Sequence, residues 1–198
     1  MKIYGDLGSG NCLKVKFTAD RLGLPYTWVP IDIMKGETHT PAFLERFPRG
    51  RIPAVELADG RRLAESNAII RYLARDSALL PDDAFVQAKI DEWLFWEQYS
   101  HEPYVATTRY HMVYLKRTLA EREAWRVERG EKALDFMEGR LAGGLPWLVG
   151  DTLTIADIAL LAYTRLAHEG GFDLSGRPNV RAWIGRCEGA LGLSPAGS

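Results

Sequence analysis

Cysteine is nearly absent. The 198 residues hold two, Cys12 and Cys187, and neither lies in a C-x-x-C pair. That excludes a disulfide-stapled scaffold and fits a reducing compartment such as the cytosol. Histidine is also scarce: His39, His101, His111 and His168 show neither H-E-x-x-H nor His/Cys ligand spacing, so no metal site is expected. No apolar run approaches bilayer length, the longest obvious one being 158–163. Lys2 leads straight into a strand-like segment, and no cationic leader with an apolar stretch is expected at the start. An excess of either charge sign is missing too. A net charge of −1 argues against nucleic acid or an anionic membrane as the main partner. What remains is a globular composition, 46% hydrophobic and 26% charged, long enough for one large domain or two small ones.

The most informative stretch is 51–73. Ile52-Pro53 removes a backbone donor where a strand would begin. Val55 and Leu57 alternate with Ala54, Glu56 and Ala58, Asp59-Gly60 turns, and Arg62-Leu63-Ala64 returns, which together read as a hairpin. Glu65-Ser66 then precedes Ala68, Ile69, Ile70, Tyr72 and Leu73 at helical spacing. A helix mouth carrying a serine offers N–H groups and partial positive charge to a carboxylate, and an adjacent acid can take an amine. The corner suits an amino-acid-like ligand.

Around it the pattern predicts a strand at 2–5, then a loop through Ser9-Gly10-Asn11 and a helix from Cys12 to Gly23. In that helix Leu13, Phe17 and Leu22 form the apolar side, with Lys14, Lys16, Asp20 and Arg21 opposite. A β-rich segment at 26–31 follows, then a short helix opened by Thr40-Pro41 with Phe43, Leu44 and Phe47 on its apolar side. The resulting β-α-β unit followed by β-β-α suggests a mixed sheet with helices on both faces. Beyond Tyr72 the strand pattern stops, apart from a brief apolar patch at 145–149. Residues 77–83 read as a linker, and helices are expected at about 85–100, 105–115, 119–141, 155–167 and 180–191. Thr154 and Asp157 have capping-box spacing, and 194–198 reads as a frayed tail. The expected domains are 1–76 and 84–198.

This order of markers resembles the cytosolic glutathione S-transferase family over essentially the whole chain. The markers are Ser9-Gly10-Asn11-Cys12, Arg51-Ile52-Pro53, Glu65-Ser66-Asn67-Ala68-Ile69 and Leu153-Thr154-Ile155-Ala156-Asp157. The resemblance implies an α/β thioredoxin-like N-terminal domain, an all-α C-terminal domain and usually a cytoplasmic homodimer. It implies no cofactor beyond glutathione as co-substrate, which would react with a small electrophile. Ser66 matches the residue that binds the γ-glutamyl carboxylate, and Glu65 its neighbour on the same group. Ile52 matches the residue whose backbone pairs with the cysteinyl part. Pro53 matches a cis-proline, although cis is only about one X–Pro bond in twenty in general.

Chemistry on glutathione requires a thiolate, and lowering a thiol pKa of about 8.5 by about two units takes roughly 2.7 kcal/mol. One or two charge-assisted hydrogen bonds supply that. Ser9 and Asn11 are the available donors. On residue type alone Ser9-Gly10-Asn11 reads as a turn that caps the next helix. The resemblance puts Ser9 at the catalytic serine of theta- and zeta-like members, and Asn11 at the functional asparagine of nu-like bacterial members. Gly10 stands where beta-like members carry cysteine, and Cys12 is expected in the core. In the helical half, His101 and Tyr104 flank Pro103, where a kink would open a second-substrate pocket. Arg109 is expected to pair with an acid on its own helix, and Asp157 to act as a structural cap. The leading function is glutathione transfer to an electrophile. A glutathione-dependent disulfide reductase or peroxidase, and a non-catalytic binding protein of the same fold, stay open as alternatives.

Overall fold

The computed structural model describes residues 1–196, so the last two residues of the expected tail lie outside the described residues. The chain divides into two compact units, Met1–Arg75 and a second starting at Asp76.

The first unit holds a four-stranded mixed sheet ordered β2-β1-β3-β4. Strands β1 (Lys2–Gly5) and β2 (Thr27–Pro30) run parallel, joined by helix α1 (Gly10–Arg21). Strand β3 (Ala54–Glu56) pairs antiparallel to both β1 and β4 (Arg62–Ala64). Gly60, at φ 83°, turns the β3–β4 hairpin in a conformation that glycine adopts without a Cβ penalty.

Alternation along β1 sorts the helices onto two faces. Tyr4 packs edge-on against Phe43 and Phe47, at centroid distances of 6.3 and 5.2 Å, from α2 (Pro41–Arg46) and its cap. Ile3 and its register partner Val55, both fully buried, face the other way. On that side a Cβ on Gly5 would lie 3.1 Å from the Cβ of Cys12 on α1. Helix α3 (Ser66–Leu73) packs against α1 and buries Ile69, Ile70 and Leu73. The expected thioredoxin-like arrangement is present.

The second unit is helical: α4 (Ala84–Trp96), α5 (Thr107–Val113), α6 (Ala124–Leu141), α7 (Ile155–Thr164) and α8 (Pro178–Leu191). Leu79 and Leu80, in the stretch expected as a linker, are buried, and Leu79 accepts a 3.0 Å hydrogen bond from the Ile155 N–H. The apolar patch at 145–149 forms bends rather than a strand. Pro103 does not break the helix between α4 and α5. A π-helical stretch, Glu97–Ala106, absorbs it and keeps the chain helical from 84 to 113. Widening the turn locally accommodates a residue that has no N–H to give to the ladder.

Every residue of α7 is buried. Its start is held by Asp157, whose carboxylate accepts from the Leu148 N–H at 2.9 Å, the Thr154 N–H at 3.0 Å, the Thr154 hydroxyl at 3.1 Å and the Trp183 indole N–H at 2.9 Å. Burial pushes this carboxyl above its ordinary range, and those four hydrogen bonds act against the shift.

Candidate functional site at the mouths of two helices

Helix α1 starts at Gly10, with Ser9 as its cap in extended conformation. The Ser9 Oγ accepts a long 3.5 Å bond from the Cys12 N–H, and the Ser9 N–H donates to the Asp6 carbonyl at 3.0 Å. The Asp6 carboxylate in turn accepts from the Gly8 N–H at 2.8 Å, closing the loop that presents the serine. A hydroxyl accepts and donates at once, so capping uses a lone pair and leaves the proton for another acceptor. Ser9 is half-buried and caps α1, the role its residue type alone predicts. Cys12 is fully buried, and burial raises its thiol to about 11. It belongs to the core, as expected.

The second mouth is that of α3. Glu65 occupies the cap at φ 69° and ψ 113°, a conformation that costs a non-glycine residue on the order of 1–3 kcal/mol. Its exposed carboxylate is held by the Arg49 guanidinium, a partner that sequence reading did not supply. The bond between Ile52 and Pro53 is cis, and buried Pro53 directly precedes β3. Ile52 is half-buried and packs against the Tyr4–Phe43–Phe47 cluster.

Ser66 and Asn11 are brought together. The Ser66 Oγ, 5% exposed, donates to the Asn11 Oδ1 at 3.0 Å, tying the first turn of α3 to the first turn of α1. Behind them lies a residue that sequence reasoning placed on the polar side of α1. Lys14 is fully buried, and its ammonium donates to the Ser66 Oγ at 3.5 Å and the Asn67 Oδ1 at 3.3 Å. The available signal was spacing: Lys14 falls four residues after Gly10 and four before Thr18, both buried on α1.

Beside the β1–α1 loop, Gly5, Asp6, Leu7, Trp28, Pro30, Ile31 and Asp32 line an open groove of about 490 Å³. Leu7, 57% exposed, gives it an apolar lip.

Within the helical unit the two expected pocket residues differ. His101 is fully buried, with its Nε2 3.0 Å from the Thr164 hydroxyl and its ring 6.1 Å from that of Trp96. The continuous π-helical backbone turns it into the core rather than onto an opened pocket wall. Tyr104 is half-buried. Its hydroxyl accepts from Arg129 at 2.9 Å, and its ring meets that of half-exposed Trp125 edge-on at 6.2 Å. Arg109 does pair with an acid, but Glu169 lies beyond α7 rather than on the arginine's own helix, with Nε and Nη2 each 2.7 Å from one carboxylate oxygen.

Two family models match the chain: the glutathione S-transferase N-terminal domain over residues 8–76 and the C-terminal domain over residues 120–186. A glutathione S-transferase-like protein of Fusarium is 34% identical over 92% of this chain and 85% of its own length. Cattle glutathione S-transferase theta-1 is 29% identical over 97% of this chain and 84% of its own length. The crystal structure of a glutathione S-transferase from Pseudomonas fluorescens superposes with a TM-score of 0.93 at 47% identity, covering 100% of this chain and 98% of that one. With both domain models in order and these relatives covering 92% or more of it, the chain belongs to the glutathione S-transferase family.

Proposed function

We propose that the chain binds glutathione on its first unit and adds the glutathione thiolate to a small, apolar electrophile. The observation that carries this reading is the joining of the two helix mouths through Ser66 and Asn11. A carboxylate at α3 would accept from the Ser66 hydroxyl in place of Asn11 and meet first-turn N–H groups and the positive end of the helix dipole. Glu65 would take the ligand amine, sharing its carboxylate with Arg49, and the backbone of Ile52 beside Pro53 would pair with the cysteinyl part. The thiol would then lie toward Ser9 and Asn11, whose donors favour the thiolate by roughly 1.5–3 kcal/mol each. Rate follows from thiolate supply and from holding the two reactants together.

Burial of Cys12 and its raised thiol pKa speak against a protein cysteine as nucleophile. The apolar lip at Leu7 suits an electrophile of low polarity. For the assembly we propose a homodimer in the cytoplasm. Phe85, Phe95 and Tyr99 are 74%, 75% and 82% exposed along α4 and its extension, more apolar surface than a lone helix ordinarily shows to water.

The test is retention on immobilised glutathione together with turnover of an aromatic halide. Retention lost in Ser66→Ala, and turnover lost in Ser9→Ala, are the expected results. Failure of the native protein to bind glutathione would exclude the reading. Unchanged turnover in Ser9→Ala would remove Ser9 from the mechanism.

A further inference from the structure

A buried lysine on the inner side of α1 is an expensive choice for a position that packing alone would fill with an apolar residue. Its ammonium has three donors and no acceptor, so at Ser66 it can only donate. Ser66 accepts from Lys14 and gives its single proton to the Asn11 amide oxygen. The Asn11 NH₂ group is thereby turned away from Ser66. Through Asn67 the same ammonium holds the next residue of α3.

We infer that Lys14 is a positioning residue for the glutathione site, selecting a free carboxylate at Ser66 by placing a buried positive charge one hydroxyl behind it. This rests on the glutathione reading given above. On binding, a carboxylate that takes the Ser66 proton in place of the Asn11 Oδ1 lies about two hydrogen-bond lengths from the ammonium, roughly 6 Å. At that distance, behind a largely dry hydroxyl, the attraction is worth on the order of ten- to a hundredfold in affinity. Donation from the ammonium also strengthens the Ser66 hydroxyl as a donor.

The test compares two ligands by calorimetry: glutathione, and 4-aminobutyryl-cysteinyl-glycine, which lacks only the γ-glutamyl carboxylate. Lys14→Met should weaken glutathione by about ten- to a hundredfold and leave the analogue within about twofold. Melting curves establish that the variant is folded. If it is not, Lys14→Gln, which keeps donors without the charge, should show the same selective loss. Equal weakening of both ligands would mean that Lys14 merely supports the fold, and unchanged glutathione binding would mean that it does nothing for the site. Either result overturns the inference. Wild-type protein that binds neither ligand would overturn the glutathione reading and this inference with it.

Discussion

The Ser66 hydroxyl gives its proton to the Asn11 side chain across 3.0 Å, so two helix mouths 55 residues apart in sequence share one hydrogen bond. In the proposed reading each partner would meet a different end of glutathione, the carboxylate at Ser66 and the thiol at Asn11. Ser66→Ala should chiefly raise KM for glutathione, and Asn11→Ala should chiefly lower kcat. Because both substitutions remove the same bond, their effects on stability should fall short of additivity by about 1 kcal/mol. Urea titrations of the two single variants and the double variant measure that coupling. Full additivity would show that the bond contributes nothing.

Much of this corner was legible because its signals are local. Pro53, the Asp59-Gly60 turn and the Glu65-Ser66 step act within a few residues of themselves, and the structure places β3, β4 and α3 around them. Lys14 was not legible in the same way. Helix α1 buries Gly10, Cys12, Lys14, Val15, Phe17, Thr18 and Ala19, a surface too wide for its polar side to be read from alternation. The lysine's burial depends on oxygens of Ser66 and Asn67, which only the folded chain brings near. The burial of His101 was hidden for a related reason. Pro103 signals a kink in the sequence, whereas the backbone passes it as a π-helix and His101 is buried.

Asp157 is expected to be among the least tolerant positions. Its two oxygens take four donors from the loop at Leu148, the cap at Thr154 and the indole of Trp183 on α8. Asp157→Ala leaves several buried N–H groups without an acceptor, each costing about 1–3 kcal/mol. A loss of at least about 3 kcal/mol should appear in chemical denaturation. Asp157→Asn should also be poorly tolerated, because one acceptor becomes an NH₂ facing the donors already there. A loss under about 1 kcal/mol in both variants would contradict the hub role.

Cys12 makes an alkaline prediction. Its thiol rises from 9.0 to about 11 on folding, because burial disfavours the thiolate. The folded state therefore keeps a proton that the unfolded state releases. Stability is full below pH 9 and falls as pH climbs through the window from 9 to about 11. The loss from this group approaches about 3 kcal/mol at the upper end. In Cys12→Ala the fall over that window should be smaller than in wild type, with Cys187 contributing in the same direction in both proteins. At pH 8 the native protein should react slowly with a thiol reagent, and two equivalents should react after denaturation. Rapid modification of native protein would refute the core assignment.

Gly130 on α6 is the site of a close approach. A Cβ there would lie 2.6 Å from both Cε1 and Cζ of Phe172, a ring only 2% exposed and enclosed by Val105, Leu134 and Ala167. On helix propensity alone Gly130→Ala would stabilise by about 1 kcal/mol. The clash should win, since overpacking an ordered core costs about 1–3 kcal/mol and the ring has buried neighbours on its other sides. The expected outcome is a net loss of stability in thermal or urea unfolding. Phe172→Leu, made in the Gly130→Ala background, should recover part of that loss, although in wild type the same change opens a cavity and destabilises. A sign reversal of the Phe172→Leu effect between the two backgrounds would identify the ring as the cause. If Gly130→Ala stabilised the protein instead, α6 or Phe172 would have to move at little cost, and the close packing around the ring would not constrain this helix.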